Sequence, residues 1–275
     1  VAISSGTVGI FDSGVGGLSV LRHIRHVLPG EQLIYVADSG HVPYGDKTPD
    51  FIEQRSLALT HFLLGQGADA IVIACNTATA AAAATLRQQF EIPVIAMEPA
   101  VKPAVLATRS GVIGVLATTG TLESARFAAL LERYAGKVEI ITQGCPGLVE
   151  QVERGDLGGK QTRDLILRYT QPLLARGADT LILGCTHYPF LAPLITEVVG
   201  DGITLVDTGA AVARHLHRRL HTELPMRKNS GCEVPDDTLA TTQFFTSGDV
   251  LQASQIMTQL WGKAVAAQRL PQKFS

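Results

Sequence analysis

Two stretches, QGADAIVIAC at 66–75 and RGADTLILGC at 176–185, align without a gap, and each ends in a cysteine, Cys75 and Cys185. Each is an aliphatic run of strand length that stops at a thiol. Small polar residues follow at once: Asn76 and Thr77 in the first copy, Thr186 and His187 in the second. A free cysteine behaves as a small hydrophobe, so a place in the core explains either residue taken singly. The match between the copies opens a second reading, in which the two thiols are equivalent and work as a pair. Ligands of open parallel sheets bind beyond the carboxyl ends of the strands, so two such sheets set face to face would bring the thiols to one ligand from opposite sides. The residues after each cysteine also suit a helix start. Its free N–H groups and positive end lower a thiol's pKa from about 8.5 and bind a carboxylate.

IFDSGVGG, residues 10–17, puts Asp12 at the end of another aliphatic run. Ser19 stands where a dinucleotide motif has its third glycine, and no Gly-Lys pair follows, so nucleotide readings are weak. The glycines suit a strand-to-helix turn that needs backbone freedom. They leave unexplained a carboxylate at the same strand end as Cys75. His187, two residues after Cys185, is placed to bond a ligand or to take the thiol's proton.

These residues need a frame that sets them side by side. Short apolar runs (TVGIF, LIYVA, AIVIA, PVIAM) alternate with helical stretches near 17–28, 50–65 and 77–90, which predicts βαβ units and a parallel sheet. After Pro99 the series restarts: GVIGVLATTGTLESARF at 111–127 echoes TVGIFDSGVGGLSVLRH at 7–23, and VEIITQGCPG at 138 echoes LIYVADSG at 33. The expectation is an α/β protein of two pseudo-symmetric lobes, each a mainly parallel sheet flanked by helices, with the site in the cleft between them. MEPAVKP at 97–103 reads as the crossing and ITLVDTGA at 203–210 as the return. The first lobe is then 1–98 plus 208–275 and the second 99–207.

The 275 residues suffice for two such lobes, and 46% apolar with 5% aromatic suits aliphatic strands and alanine-rich helices. With 23 basic and 25 acidic residues there is no global field for nucleic acid or an anionic membrane. The densest basic run, RHLHRR at 214–219, reads as a solvated helix face and lacks aromatics to stack on bases, so direct nucleic-acid binding is not expected. The four cysteines show no zinc-type spacing, and reduced thiols are expected. Cys145 and Cys232, without a matching cysteine in the other copy, read as structural. No signal peptide or membrane span is apparent, which predicts a soluble cytoplasmic protein.

FDSGVGGLSVL, PYG at 43–45, ACNTAT at 74–79, IGVLATTGT at 113–121 and GCTHYP at 184–189 together resemble the glutamate racemases of bacterial cell-wall synthesis, in order and over nearly the whole chain. The resemblance implies cofactor-independent exchange of L- and D-glutamate for peptidoglycan, without a metal. Cys75 would take the α-proton of the D isomer and Cys185 that of the L isomer. It implies that Asp12 assists Cys75 and that His187 and Glu153 assist Cys185. Glu150 lies one turn before Glu153, and alignment from the Cys-Pro pair favours Glu153. Substrate contacts would fall on Asp12, Ser13, Tyr44, Gly45, Asn76, Thr77, Thr118, Thr121, Thr186 and His187; Asp38 matches an acidic position of the family. Relatives are often dimers, which makes a homodimer an expectation. The alternatives are a racemase for aspartate or another small amino acid, and a two-lobed binding or regulatory protein that has lost catalysis. A pyridoxal enzyme would need a lysine near the thiols, and neither cysteine motif has one.

Overall fold

The computed structural model describes residues 6–134, 136–224 and 242–275; Cys232 lies outside them. Six strands form one parallel sheet: β1 (Thr7–Asp12), β2 (Gln32–Ala37), β3 (Ala70–Ile73), β4 (Val94–Ile95), β9 (Thr242–Thr246) and β10 (Gln268–Arg269), in the order β10-β9-β2-β1-β3-β4. The intervening β5 (Val112–Ala117), β6 (Glu139–Gly144), β7 (Thr180–Leu183) and β8 (Thr204–Val206) form a second parallel sheet, ordered β6-β5-β7-β8. The inner order of the first sheet, β2-β1-β3-β4, is thus repeated strand for strand.

Register carries the repeat to single residues. Val8 pairs with Ala70 across β1 and β3, and Ile113 pairs with Thr180 across β5 and β7. β1, β3 and β7 are buried almost throughout, as expected of strands covered on both faces, so their sequence is continuously apolar rather than alternating. A single apolar cluster runs through both sheets, from Leu18, Leu21 and Ile24 to Leu183, Tyr188 and Leu191, and holds the strand ends opposite one another.

The helices Leu18–Val27, Pro49–Gly65 and Asn76–Gln89 lie within a residue or so of the sequence expectation. Two local readings need correction. MEPAVKP is not all linker: Val101–Ala107 is a short helix that accepts Pro103 in its first turn, where the missing N–H has no partner to lose. ITLVDTGA begins as strand β8, the counterpart of β4, and the chain turns back only at Asp207 and Thr208 before the helix Gly209–Glu223. That helix carries the RHLHRR run, with Ala213, Leu216 and Leu220 buried. No helix among the described residues is long and apolar enough to cross a membrane.

Candidate active site

Cys75 follows β3 and is itself the N-cap of the helix Asn76–Gln89, its sulfur accepting from the N–H of Ala78 at 3.4 Å. Asn76 and Thr77, which suit a helix start in the sequence, are the first two residues of that helix. Cys185 follows β7, but no α-helix starts there. A 3₁₀ turn, Tyr188–Leu191, intervenes before the helix Ala192–Val199, so the helix-end effect expected at both thiols has its full geometry only at Cys75.

Even at Cys75 that effect does not win. Burial pushes the thiol well above its ordinary value and the carboxyl of Asp12 adds to the rise, while the Ala78 N–H only partly offsets them. Asp12, the last residue of β1, is itself raised above the usual carboxylate range by burial, against the opposing charge of His187. It is fully buried and held on all sides. One oxygen accepts from the N–H of Ser13 at 2.7 Å, and the other from the N–H of Gly17 and from Thr186 Oγ1 at 3.1 Å. Cys75 donates to Ser13 Oγ at 3.8 Å.

On the other side, His187 Nδ1 lies 3.6 Å from Cys185 Sγ, and its Nε2 lies 2.6 Å from Glu153 Oε1. Burial works against a charge on His187, but the bonds to Cys185 and Glu153 outweigh it and hold the imidazole well above its ordinary pKa. Glu153, at the end of the helix Leu148–Glu153, is the acid of the GCPGLVEQVERG stretch that reaches this histidine. It also accepts from the N–H of Val15 at 2.7 Å, across to the first sheet. The turn glycines explain how this is possible. A Cβ on Gly14 would collide with the Glu153 carboxylate, and one on Gly16 with the His187 ring. The SGVGG turn is therefore glycine-rich so that second-sheet side chains can pack against its backbone.

Ser13, Tyr44, Gly45, Cys75, Asn76, Thr77, Thr118, Cys185, Thr186 and His187 line one cavity, together with Pro43, Val149 and Gly184, which sequence reasoning missed because they carry no reactive group. Asp12 and Glu153 stand one layer behind the thiols. Thr121 completes a hydroxyl triangle with Thr77 and Thr118, at 2.9 to 3.2 Å, that ties the two sheets together. Asn76 Oδ1 is buried without a hydrogen-bond partner. The space between the lining residues is about 10 Å³, room for one water at most. Gly45 and Thr77 also line a cavity of about 670 Å³ between residues 46–49 and 119–125.

Asp38 lies outside the cavity lining and acts on it through Tyr44. Its oxygens accept from the Tyr44 hydroxyl at 2.6 Å and from Arg55 at 2.7 and 2.9 Å. Burial raises the Asp38 carboxyl, but the bonds and charge of Arg55 outweigh it and leave the pKa below the usual value. Nothing in the spacing of Asp38 and Arg55 signalled this pair. Cys145 is buried and donates to the Gln143 carbonyl at 3.3 Å, with its thiol pushed up to about 12, mainly by burial. It does have a repeat partner, though not a thiol. Its N–H bonds to the carbonyl of Ala117 as that of Asp38 bonds to Asp12, so Cys145 occupies the Asp38 position of the second sheet. No group of three or more His, Cys, Asp or Glu among the described residues could hold a metal ion.

Residues 13–216 match the model of the family described as Asp/Glu/hydantoin racemase. The chain belongs to that racemase family. A glutamate racemase of Methylococcus capsulatus is 56% identical over 270 residues, covering 98% of this chain and 96% of that protein. Among solved structures, a glutamate racemase isoform of Bacillus anthracis superposes with a TM-score of 0.85 at 30% identity, covering 98% of both chains. The Escherichia coli glutamate racemase, solved with L-glutamate and an activator, UDP-MurNAc-Ala, superposes with a TM-score of 0.82 at 33% identity, covering 97% of this chain and 98% of that one.

Proposed function

We propose that this cleft interconverts L- and D-glutamate by a two-thiol mechanism that uses no cofactor and supplies D-glutamate for peptidoglycan. The carrying observation is that two strand-end thiols line one cavity, each with its own polar partners: Asp12 behind Cys75, and His187 with Glu153 behind Cys185. In the D-to-L direction the Cys75 thiolate takes the α-proton from one face and the Cys185 thiol delivers a proton to the other. The reverse reaction exchanges the roles, so one sulfur must be protonated while the other is not. Burial and Asp12 favour a protonated Cys75 at rest, which is the form that completes the L-to-D reaction.

An α-hydrogen is weakly acidic, so the site must hold carbanion charge with donors already in place. Hydroxyls of Ser13, Thr77, Thr118 and Thr186, together with the helix start at Asn76, are suited to the two carboxylates. Asn76 Oδ1, a buried acceptor, is suited to the ammonium group. Closing the loops over this space would exclude water and strengthen each of these interactions. The relatives' shared name and the L-glutamate held by the E. coli protein support glutamate over a shorter substrate. In this reading the lobes are residues 1–98 with 208–275 and residues 99–207, the enzyme works in the cytoplasm, and a homodimer is its assembled form. Racemisation of D-glutamate should exceed that of D-aspartate and should vanish in C75A and C185A; faster turnover of aspartate, or an unimpaired single variant, would overturn the reading.

A further inference from the structure

The two thiols differ in the groups that surround them. On the Cys75 side the polar groups in reach are all buried: Ser13, Asp12 and, beyond Asp12, Thr186 and the Gly17 N–H. Tyr35, packed beneath the same turn, is fully buried and spends its hydroxyl on the Gly14 carbonyl. On the Cys185 side a file of three groups leads outward. Cys185 Sγ is 3.6 Å from His187 Nδ1, and His187 Nε2 is 2.6 Å from Glu153 Oε1. The histidine is 1% exposed and the glutamate 13%. Glu153 borders a separate cavity of about 110 Å³, lined also by Ser39, the buried Ala253 and the exposed Asp249 and Gln252. That is room for several waters, and it does not share a lining residue with the cavity between the thiols.

We propose that Cys185, His187 and Glu153 form a proton conduit to solvent through the cavity beside Gln252 and Ala253, while Cys75 exchanges its proton only when the substrate cleft opens. The proposal rests on the two-thiol reading and adds a back exit to one half of it. Each transfer moves a proton and nothing else. With His187 in its neutral Nε2–H form, the Cys185 S–H passes its proton to His187 Nδ1, the proton on Nε2 passes to the Glu153 carboxylate, and the resulting acid releases it to water. Reversing the sequence reloads the sulfur with a solvent proton. Glu153 acts through His187 and is a positioning and relay residue rather than one that touches the substrate.

The conduit makes the two directions differ in isotope content, even though the equilibrium constant between enantiomers is unity. A proton taken from L-glutamate by Cys185 is replaced from solvent before it returns to the carbanion. A proton taken from D-glutamate by Cys75 stays on that sulfur and returns unchanged. The test is racemisation in deuterated water, stopped at low conversion, with α-deuterium measured in the recovered starting enantiomer. Recovered L-glutamate is expected to carry α-deuterium severalfold in excess of recovered D-glutamate. Glu153→Gln should remove the excess whatever it does to the rate. Ala253→Leu, which fills the cavity without touching a reacting group, should lower the excess severalfold while leaving kcat/KM nearly unchanged. Gln252→Trp, on the exposed side of the same cavity, makes the same test should the leucine variant fail to fold. Equal deuterium in both recovered enantiomers, deuterium in neither, or an excess that survives these substitutions would overturn the conduit. Product that kept its original α-hydrogen would instead overturn the two-thiol reading itself.

Discussion

Cys75 and Cys185 end equivalent strands, β3 and β7, in sheets of the same order, yet their surroundings share almost no chemistry. Thr77 on one side corresponds to His187 on the other, and Asn76 to Thr186. Asp12, at the end of β1, corresponds to Ala117 at the end of β5. The strand frame is conserved between the halves because hydrophobic register fixes it, and a slip of one residue would turn every side chain to the wrong face. The residues just beyond the strand ends are free of that constraint. A racemase meets mirror-image substrates with an L-polypeptide, so its two halves need symmetric reach and asymmetric proton handling. The repeat supplies the first and the divergent loops the second.

The largest expected effects test the symmetric part. Cys75→Ala and Cys185→Ala should each lower racemisation by about 10⁴-fold or more, since each removes a general acid and base outright; initial rates by circular dichroism from both enantiomers check this. The positions of Asp38 and Cys145, equivalent in the frame, should then separate in stability. Arg55→Met strands a buried carboxylate and should cost about 3–5 kcal/mol in urea unfolding, whereas Cys145→Ala should cost about 1 kcal/mol.

Next come the groups behind the thiols. Asp12→Asn and His187→Asn should each reduce kcat/KM by about 10²-fold, the lower range for an assisting proton-transfer group. The loss must be equal in both directions, because the enantiomers have equal free energy. The sides separate instead in the primary isotope effect of α-deuterated glutamate. Asp12→Asn should raise that effect from D-glutamate, and His187→Asn should raise it from L-glutamate; the opposite assignment would reverse the roles of the two thiols.

The smallest effect is on acid stability. The folded-state pKa of Asp38 is depressed, so the stability it contributes is complete above its unfolded value of about 3.9 and is lost as pH falls through the folded value. The urea midpoint should fall between pH 5 and pH 3, by less in Asp38→Asn than in the parent chain. Cys145, its counterpart, contributes nothing in that range because its thiol is already neutral there.

The parts of this arrangement legible in sequence are those fixed by pattern. The gapless match ending in Cys75 and Cys185, the aliphatic runs and the glycine turns were enough for two parallel sheets and a shared cleft. What pattern could not supply depends on packing between segments far apart in the chain. Gly14 and Gly16 looked like ordinary turn glycines, and only the approach of Glu153 and His187 shows why a Cβ is excluded. The Cys75 pKa could not be inferred from its helix start, because burial and Asp12 oppose that effect through space. The correspondence of Cys145 with Asp38 was hidden by the change of residue type and needed the backbone hydrogen bonds to appear. Arg55, Tyr44 and Asp38 make one network from a helix, a 3₁₀ turn and a strand end, with no spacing rule to join them.

The pairing of the two thiols across one substrate is tested most directly by the α-position of the product after turnover in deuterated water. Product formed from either enantiomer of protonated glutamate is expected to carry one solvent deuterium at the α-carbon, donated by the cysteine opposite the one that removed the hydrogen. Product retaining the original α-hydrogen in either direction would mean that a single group carries the proton across, and would contradict the two-thiol cleft.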